Sequence, residues 1–191
     1  MDDLDLANVM SIKGAISADE AKLLYREAES IRDGCIVEIG SRHGRSTAAL
    51  AYGSLRAFGV PVYVIEPHEN SRGIFGGEFS AKDRVAFLEN MLRLGLVETV
   101  RLINLSSEHI GSWPDFVGLL WVDGDHRYRA VRRDIDCWLR FLRPDATIIF
   151  HDAYNPRIGP FHAIAELVAS GQWERHEAVD KAVVLRRKPP L

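Results

Sequence analysis

Along the chain the spacing of apolar positions changes several times, and each change marks an element. Ser17, Ala18, Asp19 and Glu20 form a Ser-x-x-Glu capping box. Ala21, Leu24, Ala28 and Ile31 then recur at helical spacing and predict a helix through about Ile31. "CIVEI" (Cys35 to Ile39) is a short β-rich run, closed by the turn "GSRHG" and followed by a predicted helix from about Arg45 to Phe58. "VYVI" (Val62 to Ile65) is a second strand, and a polar, glycine-rich loop runs from it to about Ser80. Val85, Leu88, Met91 and Leu92 mark the next helix, which Gly95 ends. "TVRLI" (Thr99 to Ile103) and "GLLWV" (Gly118 to Val122) are the third and fourth strands. Val131, Ile135, Trp138, Leu139 and Leu142 form one helical stripe, and "TIIF" (Thr147 to Phe150) is the fifth strand. A helix over Phe161 to Ala169 precedes two last strands, "WERHEAV" and "KAVVLRR", joined at Asp180.

Strands alternating with helices predict an α/β fold, a mostly parallel sheet with helices on both faces. Apolar runs without alternation fit strands buried on both sides. The last two strands have no helix between them and form a C-terminal hairpin, which leaves one antiparallel strand in a seven-stranded sheet. At 191 residues the chain makes one domain, read as a helical cap over residues 1–33 and a core over 34–191. Ligands of such sheets collect beyond the carboxyl ends of the strands, where the strand order switches.

Composition narrows the partners. A net charge of −3 argues against a dedicated nucleic-acid binder, and no apolar run approaches the roughly 20 residues that span a bilayer. The opening "MDDLDLANVM" lacks the order of a signal peptide, and Cys35 and Cys137 belong to no CxxC pair, so the expected compartment is the cytoplasm. The arginines between Arg127 and Arg143 read as a solvated helix face, because Arg132, Asp136 and Arg140 are i, i+4 partners.

The chemistry gathers at strand ends. "VEIGSRHGRSTAALA" puts Gly40 and Gly44 in the turn after the first strand, with Ser46 and Thr47 opening a helix whose N-terminus presents free N–H groups. Glu66 ends the second strand 22 residues after Gly44, where an acid can accept hydrogen bonds from both hydroxyls of a ribose. The dinucleotide pattern G-x-G-x-x-G fails at Arg42, which disfavours a nicotinamide oxidoreductase, and Glu38 suits a ligand of positive charge. "LLWVDGDHRY" and "TIIFHDAY" each drive an apolar strand into acid and imidazole, ending in Asp123 and in His151 and Asp152. Neighbouring parallel strands lie about 4.8 Å apart. Two carboxylates so placed repel unless protonated, hydrogen-bonded or neutralised by a cation such as Mg2+.

Together, "VEIGSRHGRSTAALA", "VIEPH", "WVDGDHRYRAVRRDIDCWL" and "LRPDATIIFHD" resemble the class I S-adenosylmethionine-dependent methyltransferases, with their Rossmann-like fold. The resemblance is narrowest to the small metal-dependent O-methyltransferases with E-x-G-x-x-x-G-x-S in the first motif and D-G-D-H-x-Y after the fourth strand. It implies that Glu38, Gly40, Ser41, Gly44 and Ser46 bind the cofactor around its methionine part, with Asp123 nearby, while Glu66 holds the ribose and Ser106 and Ser107 border the adenine. It also implies a divalent metal, Mg2+ or another, on Asp123 and Asp152. The catechol-type enzymes carry an asparagine ligand after the second acid, where this chain has Ala153, so His151, Asp125 or water completes the coordination. Asp125 and His126 are the two candidates for the base. Tyr154 and Arg157 are candidate substrate contacts, and Glu69 to Ser80 is either a lid or a mobile surface loop. The expected activity is methyl transfer to a hydroxyl of a small acceptor, a sugar or glycoside first and a catechol or other phenol second. A non-catalytic S-adenosylmethionine-binding protein is the third reading, and a homodimer is compatible with the chain.

Overall fold

A computed structural model describes residues 1–188. Its sheet has seven strands: β1 (Cys35–Ile39), β2 (Val62–Ile65), β5 (Val100–Ile103), β6 (Val117–Val122), β7 (Leu142–Phe150), β8 (Trp173–Val179) and β9 (Ala182–Arg187). They lie in the order β5-β2-β1-β6-β7-β9-β8. All pairings are parallel except those of β9, which runs against both β7 and β8. The expected fold, with its C-terminal hairpin, is therefore the observed one.

Each central strand feeds two cores. In β6, Leu119 and Trp121 point to one face while Leu120 and Val122 point to the other, and Ile149 and Ile148 divide likewise in β7. The first face is covered by α1 (Asp3–Ser11), α2 (Ala18–Glu29), α3 (Arg45–Arg56) and α4 (Ala81–Arg93), which contribute Val9, Leu24, Leu50 and Phe87. The second is covered by α5 (Tyr128–Trp138) and α6 (Gly159–Ala169) through Ile135, Trp138 and Ile164. Full burial of one such side chain contributes about 1.5–3 kcal/mol, so two-sided burial of the strands is the main source of order.

Some elements depart from the pattern. Helix α1 was not signalled by any apolar stripe; Asp2 caps it by accepting from the Asp5 N–H at 2.8 Å. The stripe expected on α4 is split, because Phe87 and Met91 are buried while Val85, Leu88 and Leu92 face solvent. A capping box of Ser80 and Asp83 sets the start of α4. Strand β7 begins at Leu142, well before Thr147, and the glycine-rich loop contains a small hairpin of β3 (Ser71–Arg72) and β4 (Glu78–Phe79). Among the described residues no helix is long and apolar enough to cross a membrane.

Candidate active site

Strand order reverses between β1 and β6, and a cavity of about 1170 Å³ opens beyond their carboxyl ends. The Asp123 N–H donates to the Ile39 carbonyl at 2.8 Å, tying the two strand ends together. Gly40 follows with φ +83°, and a Cβ there would lie 2.3 Å from the Asp123 carbonyl oxygen. Only glycine tolerates both the left-handed backbone and this approach.

Glu66 pins the turn from the end of β2. Its Oε2 accepts from the N–H groups of Ser41 (3.1 Å) and Arg42 (3.3 Å), and its Oε1 from that of His68 (3.0 Å). Arg42 and His68 both have positive φ, 47° and 49°, a strain these bonds help to hold. Glu38 lies behind the turn, fully buried, and accepts from the hydroxyls of Ser46 and Thr47 at the start of α3. Burial pushes its carboxyl up to about 8, against the opposing pull of the two hydroxyls. Glu38 thus braces the loop from outside the cavity, whose wall here is Gly40, Ser41 and Ser46. Gly44 caps α3 at φ +89° and packs toward Phe87 and Met91 rather than the cavity.

Ser106 and Ser107 also line the cavity. Ser107 accepts from Trp138 Nε1–H at 3.1 Å, and Ser106 Oγ lies 2.9 Å from His109 Nδ1. Asp134 of α5 joins this wall, and burial pushes its carboxyl up to about 6 although Ser107 hydrogen-bonds to it.

The acids from β6 and β7 meet as the pattern of strand ends implied. Asp123, His126, His151 and Asp152 each offer a ligand atom, and these four lie within 4.8 Å of one another. His126 Nε2 is 3.1 Å from Asp152 Oδ2 and 3.6 Å from Asp123 Oδ1. His151 Nδ1 is 3.0 Å from Asp123 Oδ1 and 3.4 Å from Asp152 Oδ2. Burial alone would lower the His151 pKa, yet Asp123, Asp152 and Glu20 outweigh it and push it up to about 12. Asp152 has φ 50°, and its contacts with His126 and then His151 hold its carboxyl well below the usual range. Lys181 Nζ stands 3.4 Å from Asp152 Oδ1.

Asp125 lines the cavity but stays apart from this cluster. Its carboxylate accepts from Arg127 Nη1 at 2.7 Å and from the Arg127 N–H at 3.0 Å. Tyr154 lines the cavity and is half exposed, whereas Arg157 lies outside its wall. The β3–β4 hairpin covers part of the opening: the Phe75 ring lies 5.7 Å from that of His126, and Arg127 Nη2 donates to the Arg72 carbonyl at 3.2 Å.

Glu20, Arg42, Asp134 and Lys181 escaped sequence reasoning, as did Arg127, which was expected on a solvated helix face and instead lines the cavity. Asp134 did carry a signal, since it shares a helix face with Val131, Ile135 and Trp138, and an acid inside an apolar stripe needs a reason. Glu20 reads as an ordinary capping residue, and its burial comes from the docking of α2 beside the β8–β9 turn, where Lys181 N–H donates to it at 2.9 Å. Nothing local marks Arg42 or Lys181.

Comparison with known proteins bears on the family and the fold. The profile of a family described as "Methyltransferase domain" matches residues 37–153. A curated relative, the "Uncharacterized protein y4gI" of Sinorhizobium fredii (strain NBRC 101917 / NGR234), is 29% identical over 131 residues, 64% of this chain. The match spans only 13% of that relative's length. Among solved structures, the O-methyltransferase from Bacillus cereus in complex with SAH superposes with a TM-score of 0.72 at 19% identity, covering 98% of this chain and 92% of that one. TomG of Streptomyces achromogenes, an O-methyltransferase involved in tomaymycin synthesis, gives 0.68 at 17% identity over 100% and 92% of the two chains. CalS11, a TDP-rhamnose 3'-O-methyltransferase of calicheamicin biosynthesis, gives 0.63 at 15% identity over 97% and 81%. The family match runs from β1 through the second acidic strand end, and the chain belongs to the methyltransferase domain family.

Proposed function

We propose that this protein moves a methyl group from S-adenosylmethionine to a hydroxyl oxygen of a small acceptor, a sugar or glycoside first. The observation that carries the proposal is the convergence of Asp123, His126, His151 and Asp152 in the cavity that begins at the Gly40 turn. The cofactor fits the first half of that cavity. Gly40 leaves room where a side chain would strike Asp123, and the buried Ser41 Oγ and Arg42 Nε have no hydrogen-bond partner within the protein. Glu66, Ser106 and Ser107 line the same cavity, and in this reading Glu66 holds the ribose hydroxyls and the two serines border the adenine. When bound, the cofactor supplies an electrophilic methyl on sulfur.

Asp123, Asp152 and His151 are the proposed holders of a divalent cation. Such an ion, when bound, lowers the cost of forming an alkoxide. His126 is the proposed base, favoured over Asp125 because Asp125 is engaged by Arg127 while His126 Nε2 lacks a hydrogen bond of good geometry. It takes the hydroxyl proton at Nε2, which faces Asp152 and Asp123. Phe75 and Arg127 stand beside this point in the cavity wall. Tyr154 and Asn155, both in the wall, are the proposed acceptor contacts.

Arg127, Tyr154, Asn155 and Lys181 around the acids favour a hydroxyl-rich ligand. Phe75 and Phe79 on the covering hairpin favour the second reading, a flat phenol. A cytoplasmic setting belongs to the proposal, supported by the free thiols Cys35 and Cys137. An acceptor screen with labelled S-adenosylmethionine, mono- and oligosaccharides against catechols, tests the reading. Label in a sugar supports it, label only in catechols selects the phenol, and cofactor binding with no transfer to any acceptor refutes it in favour of a non-catalytic binder.

A further inference from the structure

The residue after Asp152 is Ala153, which is buried and has no donor atom. A cation on the two acids would therefore draw its remaining ligands from water or from another residue of the cluster. His151, one residue earlier, ends β7 with its ring 1% exposed. Its Nδ1 approaches both acids, at 3.0 Å from Asp123 Oδ1 and 3.4 Å from Asp152 Oδ2. With bonds of about 2.1 Å, neighbouring ligands of one ion stand about 3.0 Å apart, so these atoms are already spaced as the edge of a coordination shell.

The far side of the ring is equally specific. His151 Nε2 is buried, lacks a hydrogen bond of good geometry, and lies 3.4 Å from Glu20 Oε1. Glu20 is 1% exposed and is fixed from two directions, by the Ser17 N–H at 2.8 Å and the Lys181 N–H at 2.9 Å. A carboxylate behind one ring nitrogen, with acids before the other, is how metal-ligating histidines are oriented.

We propose that His151 is the third protein ligand, through Nδ1, of a two-carboxylate, one-imidazole site that takes a first-row transition ion such as Mn2+, Co2+ or Zn2+ in preference to Mg2+. Mg2+ prefers an all-oxygen shell, whereas imidazole suits the later ions. Glu20 is the positioning residue: it faces Nε2, so that the proton released when an ion binds leaves from Nδ1. The inference deepens the cation reading of the proposed function and rests on it for what the ion does, but binding itself is read without any methyl donor or acceptor.

The test uses the full chain, stripped with chelator and freed of any affinity tag. Calorimetric titration with MnCl2, CoCl2, ZnCl2 and MgCl2 is expected to show one transition ion per chain, bound at least about tenfold more tightly than Mg2+. Pulsed electron paramagnetic resonance of the Mn2+ form is expected to show coupling to a directly bound imidazole nitrogen. Glu20→Gln, with an unchanged circular dichroism spectrum, should weaken the transition ion about 10–100-fold. Equal or tighter Mg2+ binding, absent nitrogen coupling in the unaltered protein, or unchanged affinity in the folded Glu20→Gln variant each overturns the corresponding part, namely ion preference, ligand or positioning. An ion bound as described without methyl transfer would sink the proposed function and leave this inference standing, whereas methyl transfer without ion binding would sink this inference and the cation's part in the mechanism and leave the transferase reading standing.

Discussion

His126 and Asp152 come from different strand ends and meet with Nε2 3.1 Å from Oδ2. The pair stands beside Asp123, with the Phe75 ring 5.7 Å from that of His126. His126→Gln keeps a polar group there but removes the base. It should lower kcat by about 10²–10⁴ while leaving the KM for S-adenosylmethionine near its original value. Steady-state kinetics with both substrates varied reads the split, and an unchanged kcat would move the base elsewhere.

Gly40 carries the contact between the turn after β1 and the end of β6. Gly40→Ala places a methyl 2.3 Å from the Asp123 carbonyl at φ +83°. The left-handed backbone alone costs of order 1–3 kcal/mol, and relief of the clash must separate β1 from β6. Lower stability in urea together with weakened S-adenosylhomocysteine binding is expected. Loss of stability with binding intact would show that the turn does not touch the cofactor.

Glu38 makes stability depend on pH. Its carboxyl is raised by burial from 4.5 to about 8, so between these values the folded chain keeps a proton that the unfolded chain has released. Stability therefore falls as pH rises through that window. Glu38→Gln should flatten this part of the profile, as measured by denaturant midpoints from pH 5 to 8.5. A midpoint that climbs over the same range in the unaltered protein would contradict the assignment.

The architecture was legible because strand period, helix period and turn glycines all pointed one way, and β9 announced itself by the missing helix before it. The convergence of Asp123 with His151 and Asp152 was legible for the same reason, since parallel neighbours deliver their ends to one place. The roles within the site were less so. Glu38 looks like a ligand residue in a linear motif, yet β1 is buried on both faces and turns it under the loop. Asp125 and His126 are adjacent in sequence, and only the fold separates them, with Asp125 held by Arg127 and His126 turned toward Asp123 and Asp152. The α4 stripe misled because its apolar residues serve two surfaces, and Glu20 needed the docking of α2 to become buried.

The proposed mechanism centres on a hydroxyl-activating cation, and methyl transfer to the best acceptor with and without EDTA tests that proposal most directly. The expected result is activity lost in EDTA, regained on adding a divalent ion, and absent in Asp152→Asn whatever ion is supplied. Transfer that continues undiminished in EDTA and in Asp152→Asn would contradict it.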